Sequence, residues 1–153
     1  MKPIKIKITG MVQKSSQEIC SEFLDTERWS KFKGYSILPG IKNAHFVTKT
    51  PDILGSRIIV HNTDGSSHVE EIIEWEPVNK ISLRFQEFDS PLKYLATHFI
   101  EAWNFRKIET GTEVTRTMSM FPTGMVGWLM LIPISQLMKK AFLINSVQLS
   151  NNG

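Results

Sequence analysis

The feature that most constrains this chain is the apolar stretch that follows Pro122-Thr123-Gly124. From Met125 to Met138 it is interrupted at Gly127, Pro133, Ser135 and Gln136, and it falls short of the roughly 20 apolar residues that cross a bilayer. It reads instead as a helix running to about Leu149, with a kink expected at Pro133. Such a helix is too oily to stand in water, so the rest of the chain must supply a surface that covers it.

That surface reads as a sheet. Ile4, Ile6 and Ile8 alternate with Lys5, Lys7 and Thr9, the pattern of a strand with one wet face. Ser15 or Ser16 caps a short helix with Ile19, Cys20, Phe23 and Leu24 on one side, and a second short helix follows Asp25. Pro39-Gly40 turns the chain into a strand over Asn43 to Lys49, and Asp64-Gly65 divides Ser56 to Trp75 into a hairpin. Strands follow at Ile81 to Phe88, Thr97 to Ile108 and Val114 to Met120, separated by turn signals at Pro77, Pro91 and Thr110-Gly111. The short turns imply antiparallel pairing. The expected class is α+β: one sheet of about seven strands in the order β-α-α-β-β-β-β-β-β-α, with residues 1–153 forming one domain.

Composition narrows the function. Apolar residues make up 41% of the 153 and charged ones 22%, which is enough to build a core. The net charge of +3 comes from lysines and arginines that form no run of five, so nucleic acid is not an expected partner. One cysteine excludes an intrachain disulfide and a cysteine zinc site, and a reducing, cytoplasmic location fits. The alternating N-terminus does not resemble a signal peptide. Membrane contact is the minor reading, and the oligomeric state is left open.

The order resembles the helix-grip fold of the START and SRPBCC superfamily, and in particular its polyketide cyclase/dehydrase-like branch. The residues that carry the resemblance are Asp25-Thr-Glu-Arg-Trp29, the strand entry at Gly55, Glu74-Trp-Glu-Pro77, Gly111-Thr112 and the oily last helix. The resemblance implies a curved sheet wrapped around the C-terminal helix and enclosing a cavity. Members include lipid and hormone carriers, aromatase/cyclases, oxygenase ligand domains and chaperone cofactors, so the fold does not fix one function.

Hairpin registers indicate which polar groups enter such a cavity. A two-residue turn at Asp64-Gly65 pairs Thr63 with Ser66, Val60 with Val69 and Ile58 with Glu71; it directs Glu71 inward beside Ile73 and Trp75, and pairs His61 with His68 on the wet face. In the last hairpin, Phe105 opposite Val114 sets Trp103 against Arg116 and Glu101 against Met118, so Glu101 and Arg116 become diagonal neighbours. Glu71, Glu101 and Arg116 are the candidate interior polar groups. Trp75, Phe85, Trp103, Met120, Trp128 and Ile132 are the candidate lining, although in sequence terms they serve equally well as ordinary core.

Three readings follow. The first is a module that binds a small hydrophobic molecule, lipid-like or aromatic, with Ile37 to Ile41 and Ser90 to Ala96 as rims. The second is an acid-base enzyme of the cyclase or dehydrase kind, with Glu71 or Glu101 moving a proton and Arg116, Tyr94 or Tyr35 stabilising an oxyanion. The third is a domain that presents its oily helix to a protein or membrane. The four histidines have no metal-ligand spacing, and no phosphate loop or nucleophile elbow is present, so no metal or cofactor is expected.

Overall fold

The computed structural model describes residues 1–151, with side chains through Ser146. Strand β1 (Ile4–Val12) leads into helix α1 (Ser16–Phe23) and a 3₁₀ turn over Thr26–Lys31. Four strands follow, β2 (Ile41–Thr48), β3 (Arg57–Asn62), β4 (Ser67–Glu76) and β5 (Lys80–Gln86). One helical turn, α2 (Leu92–Leu95), precedes the long strands β6 (Ala96–Ile108) and β7 (Gly111–Pro122), and helix α3 (Met125–Asn151) closes the order. Ser15 caps α1 through its hydroxyl, which accepts from the Glu18 amide at 3.1 Å. The segment Ser90 to Ala96, expected as a rim with no helix of its own, contains α2, whose four residues are too few to show a helical period.

The seven strands form one antiparallel sheet in the order β1-β7-β6-β5-β4-β3-β2, so the first strand lies beside the last. Facing pairs put Ile6, Met118, Glu101, Leu83 and Ile72 in one row across the inner face, and Ile8, Arg116, Trp103, Ile81 and Trp75 in the next. Helix α3 crosses this face and buries Leu131, Met138 and Phe142 against Ile6, Phe99, Met118 and Met120. Helix α1 covers the middle through Ile19 and Cys20, packed with Trp103 and Val114. At the far end Ala44, Ile58, Val60, Ile72 and Leu83 pack under Phe23, Leu24 and Trp29.

The apolar part of α3 extends beyond the run apparent in the sequence. Met125–Ser146, 22 residues, is long and apolar enough to cross a membrane by length and composition alone. The helix continues through Pro133.

The β3–β4 hairpin corrects one expected register. Gly65 donates to the Asn62 carbonyl at 3.1 Å and Asn62 donates to the Ser66 carbonyl at 2.8 Å, so the loop is Thr63-Asp64-Gly65 rather than two residues. Gly65 has φ +90°, the left-handed position that closes a three-residue turn. The one-residue slip turns β4 over. Glu70, not Glu71, faces Ile58, and His68 faces Val60. Glu71 lies on the outer face between Arg57 and Arg84. A bulge between Ile72 and Glu74 then restores the phase, so Trp75 still meets Ile81 on the inner face.

Candidate ligand cavity

Between the sheet and α3, roofed by α1 and the 3₁₀ turn, lies a cavity of about 400 Å³. Apolar side chains dominate its lining: Phe23, Trp29, Phe32, Leu38, Leu83, Phe85, Phe88, Phe99, Trp103, Val114, Leu137, Met138 and Phe142 are among them. Both expected rims border it, Ile37 to Pro39 with Ile41 on one side and Ser90 to Leu92 with Leu95 on the other. Cavities of this size suit a small organic molecule.

Two buried charged groups interrupt the mostly apolar wall. The first is built on β6 and β7, whose register matches the sequence expectation at Phe105–Val114, Trp103–Arg116 and Glu101–Met118. Glu101 is 4% exposed and Arg116 5%. One carboxylate oxygen, Glu101 Oε2, accepts from Arg116 Nε at 2.9 Å, Arg116 Nη2 at 2.7 Å and Trp103 Nε1 at 2.8 Å. Arg116 Nη1 donates to Asn145 Oδ1 of α3 at 2.8 Å. The guanidinium lies between two rings, 4.4 Å from the centre of Trp103 and 4.0 Å from that of Phe142. A buried charge is thus both paired and hydrogen-bonded, as burial requires.

The second group was hidden by the register slip. Glu70, 4% exposed, accepts from His68 Nε2 at 2.8 Å through Oε2. Asn62 Nδ2 donates to His68 Nδ1 at 3.3 Å, which places the ring proton on Nε2. His68 stacks on Phe85 with centroids 5.3 Å apart. Burial pushes the Glu70 carboxyl above its ordinary value, the bond from His68 pulls it down, and the charge of Glu101 pushes it up again. Among the described residues, Glu70 Oε1 has no hydrogen-bond partner, so a buried carboxyl group keeps one oxygen free on the wall of an apolar cavity.

The sequence-derived candidates divide accordingly. Phe85, Glu101, Trp103 and Arg116 line the cavity. Met120 is fully buried in the core between β7 and α3, and Trp75 packs beside Ile81 and Phe23, behind the lining. Glu71 is on the outer face for the reason given above, and His68 is inside, so His61 does not pair with it; the His61 ring instead lies 5.8 Å from that of His45. Trp128 and Ile132 are on α3 but point away from the sheet, 36% and 38% exposed. Helical spacing explains the error: Gly127, Leu131, Ser135 and Met138 occupy the inward stripe, and an all-apolar helix gives no sign of which stripe that is.

No protein-family model and no curated protein matches the chain. Solved structures do. Protein MLL2253 from Mesorhizobium loti superposes with a TM-score of 0.69 at 11% identity, over 97% of this chain and 98% of that one. Ara h 8.0201 gives 0.63 at 9%, over 95% and 99%. Ginseng major latex-like protein 151 from Panax ginseng gives 0.61 at 12%, over 92% and 97%. The chain has the SRPBCC-type helix-grip fold. Nearly complete coverage in both directions means that the shared architecture extends over almost the whole chain. At such identities the likeness concerns the fold alone, and the polar groups of this helix-grip protein must be read from its own residues.

Proposed function

We propose that the protein binds a small, mostly apolar molecule in the cavity, with a polar end directed at Glu70. The observation that carries this reading is the free, buried Glu70 oxygen on the mostly apolar wall of a space of about 400 Å³. A hydroxyl or carbonyl on the ligand completes the bonding of a group that is otherwise buried without a full set of partners. Glu101 and Arg116, two and three strands away on the same face of the sheet, are paired through Glu101 Oε2. The lone, buried Cys20 is consistent with action in a reducing, cytoplasmic compartment.

Native mass spectrometry of freshly purified protein, followed by extraction, tests the reading. A passenger near one per chain, displaced by an apolar fluorescent probe, is the expected result. Val114→Trp fills the cavity and abolishes both signals. An empty protein that also ignores the probe refutes the proposal.

A second reading, acid-base catalysis on a bound carbonyl compound, is favoured by one contact. A carboxyl held toward its protonated form can give a proton to a ligand oxygen, the resulting carboxylate being held by the Nε2–H of His68 until the same proton is returned from the product. Under this reading Glu70→Gln removes turnover of a carbonyl substrate and leaves probe affinity intact, whereas loss of both together assigns Glu70 to binding only.

A further inference from the structure

A helix that is hydrophobic on every side belongs in a core or against lipid. Helix α3 satisfies neither condition within the fold, because only 33% of an apolar 18-residue stretch within Met125–Ser146 is buried. Its inner stripe is used up at Leu131, Ser135, Met138 and Phe142. The opposite side holds Met125 at 69% exposure, Val126 at 72% and Leu129 at 55%, continuing through Ile132 and Pro133, and presents an unbroken apolar face over more than two turns.

The charged side chains on α3 and α2 all have one sign. The 27 residues of α3 include no aspartate or glutamate, and the only charged side chains are Lys139 and Lys140, both exposed, about two turns beyond Ile132. At the other end, α2 adds exposed Lys93 and Tyr94. The two helices are joined there: Thr123 donates its amide to the Leu95 carbonyl at 3.0 Å and its hydroxyl to the Tyr94 carbonyl at 2.7 Å. Trp128 sits on the margin of the patch, where an amphipathic ring bridges apolar and wet surroundings.

We infer that the outer face of α3, with α2 beside it, docks on an anionic lipid surface. The apolar face enters the boundary between headgroups and acyl chains, and Lys93, Lys139 and Lys140 meet the headgroup charge. The helix lies on the bilayer and does not cross it, because its inner side is committed to the sheet through Leu131 and through the Arg116 contacts to Phe142 and Asn145. A second copy of the chain is a poorer occupant: a two-fold interface on this face faces lysines with lysines and offers no acid on the helix to neutralise them. Docking also carries Leu92 and Leu95, which border the cavity, to the lipid. That last consequence rests on the binding reading, but the docking itself does not.

The test is sedimentation of the full chain with two kinds of vesicle, pure phosphatidylcholine and phosphatidylcholine mixed with phosphatidylglycerol. Binding to the mixed vesicles with a blue shift of tryptophan emission is expected, with weaker binding to the neutral ones. Because each surface lysine contributes about fivefold to such affinity, Lys139→Gln with Lys140→Gln should weaken binding to the mixed vesicles by about 25-fold. Leu129→Glu, an exposed site that the fold tolerates, should abolish it. Val114→Trp fills the cavity yet still sediments, so failure of the cavity reading leaves this result untouched. No sedimentation with either vesicle, an affinity indifferent to these substitutions, or a dimer that Leu129→Glu dissociates overturns the proposal.

Discussion

Replacing Glu101 with leucine isolates the most highly charged part of the interior. Arg116 is 5% exposed, and two of its three hydrogen bonds end on the single oxygen Glu101 Oε2. In Glu101→Leu the guanidinium keeps only Asn145 and the two ring faces, and Trp103 Nε1 loses its acceptor as well. Removing one partner of a buried pair costs about 3–5 kcal/mol, because the remaining charge cannot return to water. At about 2–4 °C per kcal/mol for a domain of this size, the midpoint of thermal unfolding falls by about 6–20 °C. Arg116→Met should cost less, since a stranded carboxyl can take up a proton whereas arginine stays charged. The double variant Glu101→Leu, Arg116→Met leaves no buried charge, only the indole donor and the half-buried Asn145 oxygen without their partners, and should lie within about 2 kcal/mol of the parent. Urea unfolding followed by far-ultraviolet circular dichroism, with an unchanged slope, measures all four members of the cycle. A Glu101→Leu variant within about 1 kcal/mol of the parent, or a double variant no more stable than Glu101→Leu, would refute the assignment of this pair as a desolvated, mutually dependent unit.

Three further outcomes are expected. Because burial raises the Glu70 carboxyl in the folded state, the fold holds that proton more tightly than the unfolded chain does, and stability is lost as pH rises above the ordinary carboxylate value near 4.3. Glu70→Gln escapes this loss, so its advantage in urea unfolding should be absent near pH 4 and grow toward neutrality; an advantage that shrinks with rising pH contradicts the sign. Cys20 is buried and its thiol is pushed up to about 12, so in native protein at pH 8 it should resist an aromatic disulfide reagent and yield one thiol per chain only after denaturation. At Gly127 an added Cβ overlaps the Leu95 carbonyl oxygen; Gly127→Ala should therefore destabilise the protein by about 1–3 kcal/mol despite alanine's better helix propensity, and a higher urea midpoint would show that α2 does not sit that close.

What the sequence conveyed depended on whether a local pattern had one structural solution. The β6–β7 register followed from long strands whose aromatic and charged positions alternate without interruption, so Glu101, Trp103 and Arg116 could be placed together before any coordinates. The β3–β4 hairpin had two solutions. Asp64-Gly65 suits a two-residue turn, but Gly65 also suits the left-handed end of a three-residue loop, and the Asp64 side chain accepts from Ser66 to hold the longer form. The bulge after Ile72 then concealed the mistake, because it kept Trp75 on the inner face and made the wrong alternation look continuous. Glu70 and His68 were lost for that reason alone. Trp128 and Ile132 were misdirected by the opposite problem, a helix with too much apolar signal rather than too little.

The place of β1 in the sheet bears on how the chain acquires its structure as well as on what it does. Among the described residues its one neighbour in the sheet is β7, so Ile4 cannot meet Met120, nor Ile8 meet Arg116, until more than a hundred residues have been synthesised between them. On a ribosome, β1 therefore waits as an unpaired, half-apolar edge until β7 and α3 emerge, and pairings so distant along the chain are slow to form. The interval is one in which a chaperone can hold the chain, and in which crowded, newly made copies can exchange their first strands.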